Sequence, residues 1–327
     1  MKNVVKVAPR APEPKIIARA AELLRAGGLV AFPTETVYGL GAHALNPHAI
    51  HKIFAAKDRP DWDPLIVHVR DLPMAHPLMK RLLPQFELLV SRFWPGPLTL
   101  VGEKAAVVPD EVTARRATVA LRMPWHPVAA ALLEATDGPI AAPSANRFGR
   151  PSPTRAEHVV EDLGDRVDLI LDGGPTPMGV ESTVLDLTQS PPAILRPGGV
   201  SREDLENVLG KGEVGLVAGV ADEVAHKGLA GPGMTIKHYA PRASIELFES
   251  ARELHARADQ LRSEGKQVGI LDNTTTVDRL AQTLFAQLRD LDTQGVDVIL
   301  CVLPGSQGLG LAVRDRLLRA AGKGGPA

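Results

Sequence analysis

One cysteine, Cys301, in 327 residues excludes an intrachain disulfide framework and any cysteine-based zinc cluster. Aromatic residues are scarce at 4%, which removes the stacking platforms that single-stranded nucleic-acid binders rely on. Neither sign of charge dominates. The 37 Lys and Arg against 38 Asp and Glu leave a formal net charge of −1, so no global field draws the chain to nucleic acid or an anionic membrane. No apolar run is long enough to cross a bilayer, and Met1 to Arg10 carries no hydrophobic signal segment. The expectation is a soluble cytoplasmic protein without membrane contact. A Gly-x-x-x-x-Gly-Lys-Ser/Thr phosphate loop is also missing. So are a Ser-His-Asp set, a cysteine nucleophile and a metal-binding histidine spacing.

The 44% hydrophobic content supports an ordinary core, and 28 prolines and 30 glycines fit many short elements joined by sharp turns. Glu13–Ala26 has apolar residues at helical spacing and stops at Gly27-Gly28. Leu29–Phe32 then reads as a buried strand. Short apolar runs follow at 65–69, 98–101, 119–121, 140–142, 169–171, 183–187 and 193–195, bounded by proline or glycine as strands are. Helical patterns at 49–56, 77–93, 127–135, 156–163 and 202–209 lie between some of them. This irregular order predicts an α/β domain with a mixed sheet over residues 1–209. Residues 210–243 lose periodicity and read as an interdomain linker. It ends in Lys237-His238-Tyr239, a cluster that a purely solvated linker does not need, so it doubles as a candidate cavity lid. From 244 to 327, strands at 245–248, 267–271 and 297–303 alternate with helices at 251–263, 277–288 and 309–320. That alternation predicts a small parallel α/β domain. Cys301 falls in one of its apolar strands and reads as a core residue.

The chemistry-bearing residues gather at strand ends. Pro33–Gly41 follows the first strand with two threonines and a carboxylate. It reads either as a ligand-binding loop at the carboxyl end of a strand or as a helix start capped by Thr34 or Thr36. Lys57-Asp58-Arg59 sets two cations one residue apart; the alternative is a solvated helix end favoured by the dipole. His68 sits inside an apolar strand, where a hydrogen-bonded core histidine is the plainer reading. Arg122 and Arg196 end apolar strands and need partners, either a structural carboxylate or a ligand anion held by the guanidinium fork. Ser144, Asn146, Ser152, Thr154, Ser182 and Thr183 add neutral donors. Together these residues fit chemistry by positioning and charge stabilisation, without a covalent intermediate.

Nine ordered motifs make the resemblance specific: FPTETVYGLG (32–41), Lys57-x-Arg59, PLIVH (64–68), WPGPLTL (94–100), VALRMP (119–124), PSANRFGRPSPT (143–154), ESTVLD (181–186), LRPG (195–198) and GPGMTIKHYAP (231–241). The chain resembles the YrdC-like L-threonylcarbamoyladenylate synthases in their long, two-domain form, and GSQGLGLAVRDRLLRAA (305–321) fits the second domain. The resemblance implies a twisted mixed-sheet domain with a concave basic cavity, followed by a Rossmann-like domain. It implies synthesis of L-threonylcarbamoyl-AMP from L-threonine, bicarbonate and ATP, with Mg2+ accompanying the ATP and pyrophosphate released. The product serves tRNA threonylcarbamoyl-transferase proteins that modify the adenosine next to the anticodon, and direct RNA contact would be weak.

By the same resemblance, Thr36, His68, Arg122, Ser144 and Ser182 match positions that hold L-threonine. Arg59, Thr118, Asn146, Thr154, Arg196 and Tyr239 match positions that contact ATP. Lys57 and Arg59 would stabilise phosphate charge, and no metal-ligating side chain is implied. Asp63 departs from the family, which often has asparagine there beside the phosphates. A carbamoyl-transfer protein of hydrogenase maturation would be longer and carry cysteine-rich zinc modules. A non-catalytic RNA-binding protein would need more aromatic and basic surface.

Overall fold

A computed structural model describes residues 3–217, 238–271 and 275–324. The first unit is built on one large mixed sheet. Its strands are β1 (Val4–Lys6), β2 (Val30–Pro33), β3 (Tyr38–His43), β4 (Ile66–His68), β5 (Leu98–Glu103), β6 (Thr118–Arg122), β7 (Ile140–Ala141), β8 (Leu169–Asp172), β9 (Thr183–Asp186), β10 (Ala193–Arg196) and β11 (Gly215–Leu216). Their spatial order is β1-β8-β2-β3-β7-β4-β6-β5-β9-β10-β11.

Successive side chains of a strand face opposite sides, and β2 shows what that does here. Val30 and Phe32 join one apolar cluster with the helices Pro14–Arg25 and Pro127–Thr136. Ala31, between them, joins another with the helices Pro47–Lys57 and Pro84–Phe93. The sheet is therefore covered on both faces, which explains why its strands read as short continuous apolar runs.

The second unit has a parallel sheet, β12 (Ser244–Phe248), β14 (Val298–Val302) and β13 (Val268–Ile270) in that order. Val298 and Leu300 pack against the helix Ala251–Ser263, while Ile299 and the buried Cys301 pack against the helices Val277–Thr293 and Leu309–Ala320. That second cluster also takes in Val37, Val180 and Tyr239, so the small unit's core runs into the edge of the large one.

Three expectations need correction. No helix follows Pro33. Residues 34–37 form the turn of a β2–β3 hairpin, in which Thr34 Oγ1 donates to Val37 O at 2.7 Å. β3 was missed because Gly39 and Gly41 dilute its pattern. Close packing demands them: a Cβ at Gly41 would lie 2.8 Å from the Phe32 ring and 3.0 Å from Ile140. The helix expected over 77–93 is interrupted. Helical turns at 72–75 and 76–78 precede an extended stretch, and Pro84 opens a separate helix at its first turn. Within the expected linker, β11 pairs with β10 and extends the sheet, and β1 adds the opposite edge. Residues 231–237 of the expected lid lie outside the described residues.

Candidate active site

Parallel pairing of β4 with β6 sets His68 opposite Arg122, so the two strands end side by side. Ser144 is brought to the same place by backbone pairing with Gly39 across an isolated bridge. Ala145 N donates to Tyr38 O at 2.8 Å, which pins this loop to β3. On the far side, β9 and β10 are antiparallel, so the start of one meets the end of the other. Arg196 Nη2 there donates to Ser182 O at 2.9 Å and to Ser182 Oγ at 3.2 Å. Ser182 Oγ in turn shares a 2.8 Å hydrogen bond with Thr99. Strand ends thus converge on one cavity.

Eight of the expected residues line that cavity: Thr36, His68, Arg122, Ser144 and Ser182, with Arg59, Arg196 and Tyr239. Arg122 is fixed from behind. Its Nη2 lies 2.7 Å from Glu35 Oε1 and donates to Thr36 Oγ1 at 3.0 Å, while Nε donates to Gly96 O at 3.2 Å. Arg59 is held by Pro64 O at 2.9 Å and by the Asp63 carboxylate at 2.9 Å.

Burial, and next the Arg122 cation, push His68 down to about 3, so the imidazole is neutral at pH 7, and its Nδ1 has no hydrogen-bond partner. Burial and the surrounding cations, Arg59 first, also hold His238 well below its ordinary value. Burial raises Tyr239, whose hydroxyl has no partner and stays a phenol. Apart from Glu181, the polar groups of the wall are guanidinium cations and neutral donors and acceptors, a surface suited to a carboxylate and a polyphosphate in one space.

Five expected residues are not on the cavity wall. Lys57 is buried behind it, and its Nζ donates to the backbone oxygens of Ser144 (2.6 Å) and Asn146. It braces the Ser144 loop, which corrects the expectation of direct phosphate contact. Burial, and then Arg59, hold its ammonium well below the usual lysine value. Asn146 turns its Nδ2 to Arg147 O and Arg150 O, leaving Oδ1 buried without a partner. Thr154 is buried, and its backbone N–H donates to His158 Nδ1 at 3.2 Å. Thr118 begins β6, four residues and about 13 Å of strand from Arg122. Asp63 is fully buried and faces Arg59, so its charge is met within the protein. Burial raises it, and Arg59 opposes that shift.

Two polar lining residues, Glu181 and His238, were given no site role by the sequence, although His238 was placed in the candidate lid. Glu181 directly precedes Ser182, and the argument used for Arg122, that a charge at the end of an apolar strand needs a partner, applied to it equally. His238 sits beside Tyr239 with ring centroids 4.1 Å apart. Its backbone N–H donates to Arg319 O at 3.3 Å, and Ala240 N donates to Gly149 O at 2.8 Å. The end of the linker is thereby stapled between the two units.

A mixed sheet whose strands β6 and β10 end in Arg122 and Arg196 at one cavity, joined there by Arg59 and covered by a second α/β unit, has the form of an enzyme site. A sequence-family model of Sua5/YciO/YrdC proteins, described as telomere recombination, matches residues 22–198. One for the threonylcarbamoyl-AMP synthase C-terminal domain matches residues 200–322. The threonylcarbamoyl-AMP synthase of Pyrococcus abyssi is 45% identical over 338 residues, covering 98% of both chains. That of Bacillus subtilis is 43% identical, covering 94% of this chain and 93% of its own. A crystal structure of P. abyssi Sua5 complexed with L-threonine matches with a TM-score of 0.91 at 43% identity, over 98% of each chain. The chain belongs to the Sua5/YciO/YrdC family, in its two-domain threonylcarbamoyl-AMP synthase form.

Proposed function

We propose that this chain makes L-threonylcarbamoyl-AMP from L-threonine, bicarbonate-derived CO2 and ATP, releasing pyrophosphate. The product would supply tRNA threonylcarbamoyl-transferase proteins in the cytoplasm for the adenosine beside the anticodon. One observation carries the reading. A single cavity holds a carboxylate-sized cation site at Arg122, flanked by Thr36, His68, Ser144 and Ser182, together with Arg59, Arg196 and Tyr239 for a polyanion.

In this reading the neutral amine of threonine attacks CO2. A C–N bond forms, and the displaced amine proton leaves to solvent. The resulting carbamate oxygen attacks the α-phosphorus of ATP, and the P–O bond to pyrophosphate breaks with its electron pair on the leaving group. Arg122 holds the amino-acid carboxylate. His68, kept neutral, accepts a hydrogen bond rather than storing a proton. Arg59 and Arg196 stabilise charge gathering on the phosphates. No side-chain base is required, because the carbamate is already anionic.

Magnesium enters as part of the ATP substrate. Among the described residues no group of three or more His, Cys, Asp or Glu could hold a resident ion, and the carboxylates of Glu181 on the wall and Asp63 behind it are both paired with arginine. No step is assigned to the metal. The test is pyrophosphate release with ATP, Mg2+ and bicarbonate, with and without L-threonine. Release that depends on L-threonine is expected. Release independent of the amino acid sinks the reaction, and equal release with L-serine sinks threonine specificity.

A further inference from the structure

Buried charge seldom appears on a helix, yet the helix Leu309–Ala320 of the small unit buries Asp315, Arg316 and Arg319 almost completely. Arg316 is fully buried and reaches across to the other unit. Its Nε donates to Glu181 Oε2 at 2.7 Å, its Nη2 donates to Pro197 O at 2.9 Å, and its guanidinium lies 5.1 Å from the centre of the Tyr239 ring. Asp315 neutralises it from its own helix and also accepts from Arg319 Nε at 2.8 Å. Outside its helix the hydrogen bonds and the ring contact of Arg316 go to Glu181 and Tyr239 of the cavity wall and to Pro197, the residue after Arg196.

Glu181 is the reason this matters. It is a carboxylate on the wall of a cavity that must receive triphosphate, and Arg196 lies within its electrostatic reach. Both Glu181 oxygens are occupied from behind, Oε1 by the Ser152 hydroxyl and Oε2 by Arg316. Burial would push Glu181 up, but Arg316 and Arg196 hold it below the usual carboxylate range. The group therefore stays an anion and must be neutralised by something. Without Arg316, the remaining cation beside it is Arg196, which the phosphates require.

We propose that Arg316 is a positioning residue supplied by the C-terminal domain, which sequesters Glu181 so that Arg196 stays free for the nucleotide. The small domain thereby completes the nucleotide end of the cavity. This rests on the reaction proposed above.

The test is a double-mutant cycle on the full chain, read as MgATP affinity by calorimetry, with thermal unfolding recorded for each variant. Arg316→Met should weaken ATP binding about tenfold, because Glu181 then captures Arg196. Adding Glu181→Gln to it should return affinity to within about threefold of wild type, since no anion is left to compete. A merely structural role for Arg316 would leave the double variant as weak as the single one, and that result overturns the proposal, as does normal binding by Arg316→Met. Should Arg316→Met not fold, Arg316→Lys keeps a cation beside Glu181 and should bind ATP more tightly than Arg316→Gln. Equal binding by those two variants overturns it likewise. Wild-type protein that shows threonine-dependent turnover with a flat cycle loses only this inference. Wild-type protein that binds no ATP loses the reaction and the inference together.

Discussion

Glu35 Oε1 lies 2.7 Å from Arg122 Nη2, both side chains being nearly inaccessible to solvent. The second oxygen of Glu35 has no hydrogen-bond partner. The cation assigned to the amino-acid carboxylate thus already has a counter-charge before substrate arrives, which offsets the cost of burying it.

Glu35→Gln should leave Arg122 without that counter-charge and destabilise the substrate-free protein by about 3 kcal/mol. A bound threonine carboxylate would restore it. L-threonine should therefore raise the unfolding temperature of the variant more than that of wild type in thermal denaturation. Equal shifts would show that Arg122 does not meet the carboxylate.

Arg59 and Asp63 form a second pair, 2.9 Å apart with Asp63 fully buried. Arg59→Met strands the carboxylate and should cost about 3 kcal/mol by chemical denaturation. Adding Asp63→Asn should recover most of that stability but none of the ATP affinity. Asp63→Asn alone, which frees Arg59, should tighten ATP by about threefold. ATP binding regained in the double variant would contradict the role given to Arg59.

Lys57→Met removes the donor shared by Ser144 O and Asn146 O. Two buried carbonyls left unpaired should cost about 3 kcal/mol. Because Ser144 moves while Arg59 keeps its hold on Pro64 and Asp63, KM for L-threonine should rise more than KM for ATP. Steady-state kinetics showing the reverse would return Lys57 to the phosphates.

His68 is held neutral at about 3 by burial and Arg122, whereas the unfolded chain titrates near 6.5. Between those values the unfolded state binds the extra proton, so stability falls as pH drops, by about 1.4 kcal/mol per pH unit. His158, also lowered to about 3 by burial, adds a slope of its own. His68→Asn should flatten the dependence of unfolding temperature on pH between pH 6.5 and 5 without abolishing it. An unchanged slope would mean that His68 is not the titrating group.

Much of the fold is legible locally. Strands at 98–101, 119–121 and 193–195 announce themselves because a sheet covered on both faces demands short apolar runs. The helices 156–163, 202–209, 251–263 and 309–320 fall where apolar spacing and turn residues place them. β3 was hidden because its glycines answer to Phe32 and Ile140, residues far from local pattern rules. The small strands β1 and β11 were hidden because two or three residues carry no period.

Sequence by itself determined the family. The missing phosphate loop, the lone cysteine and the arginines and hydroxyls at strand ends pointed to substrates held by fixed charge, and the ordered motifs pointed to the family. Tertiary structure alone decided which of those residues face the cavity and which stand behind it. Lys57 and Arg59 are two residues apart, yet one braces a loop and the other lines the wall, because the helix Pro47–Lys57 ends at Asp58 in a left-handed conformation that redirects the chain. Arg316 lies 135 residues from Glu181, and no local rule links them. Their pairing exists because the small unit's apolar core runs through Tyr239 to Val37 and Val180 of the large unit, and a charge buried at that junction must find its partner across it.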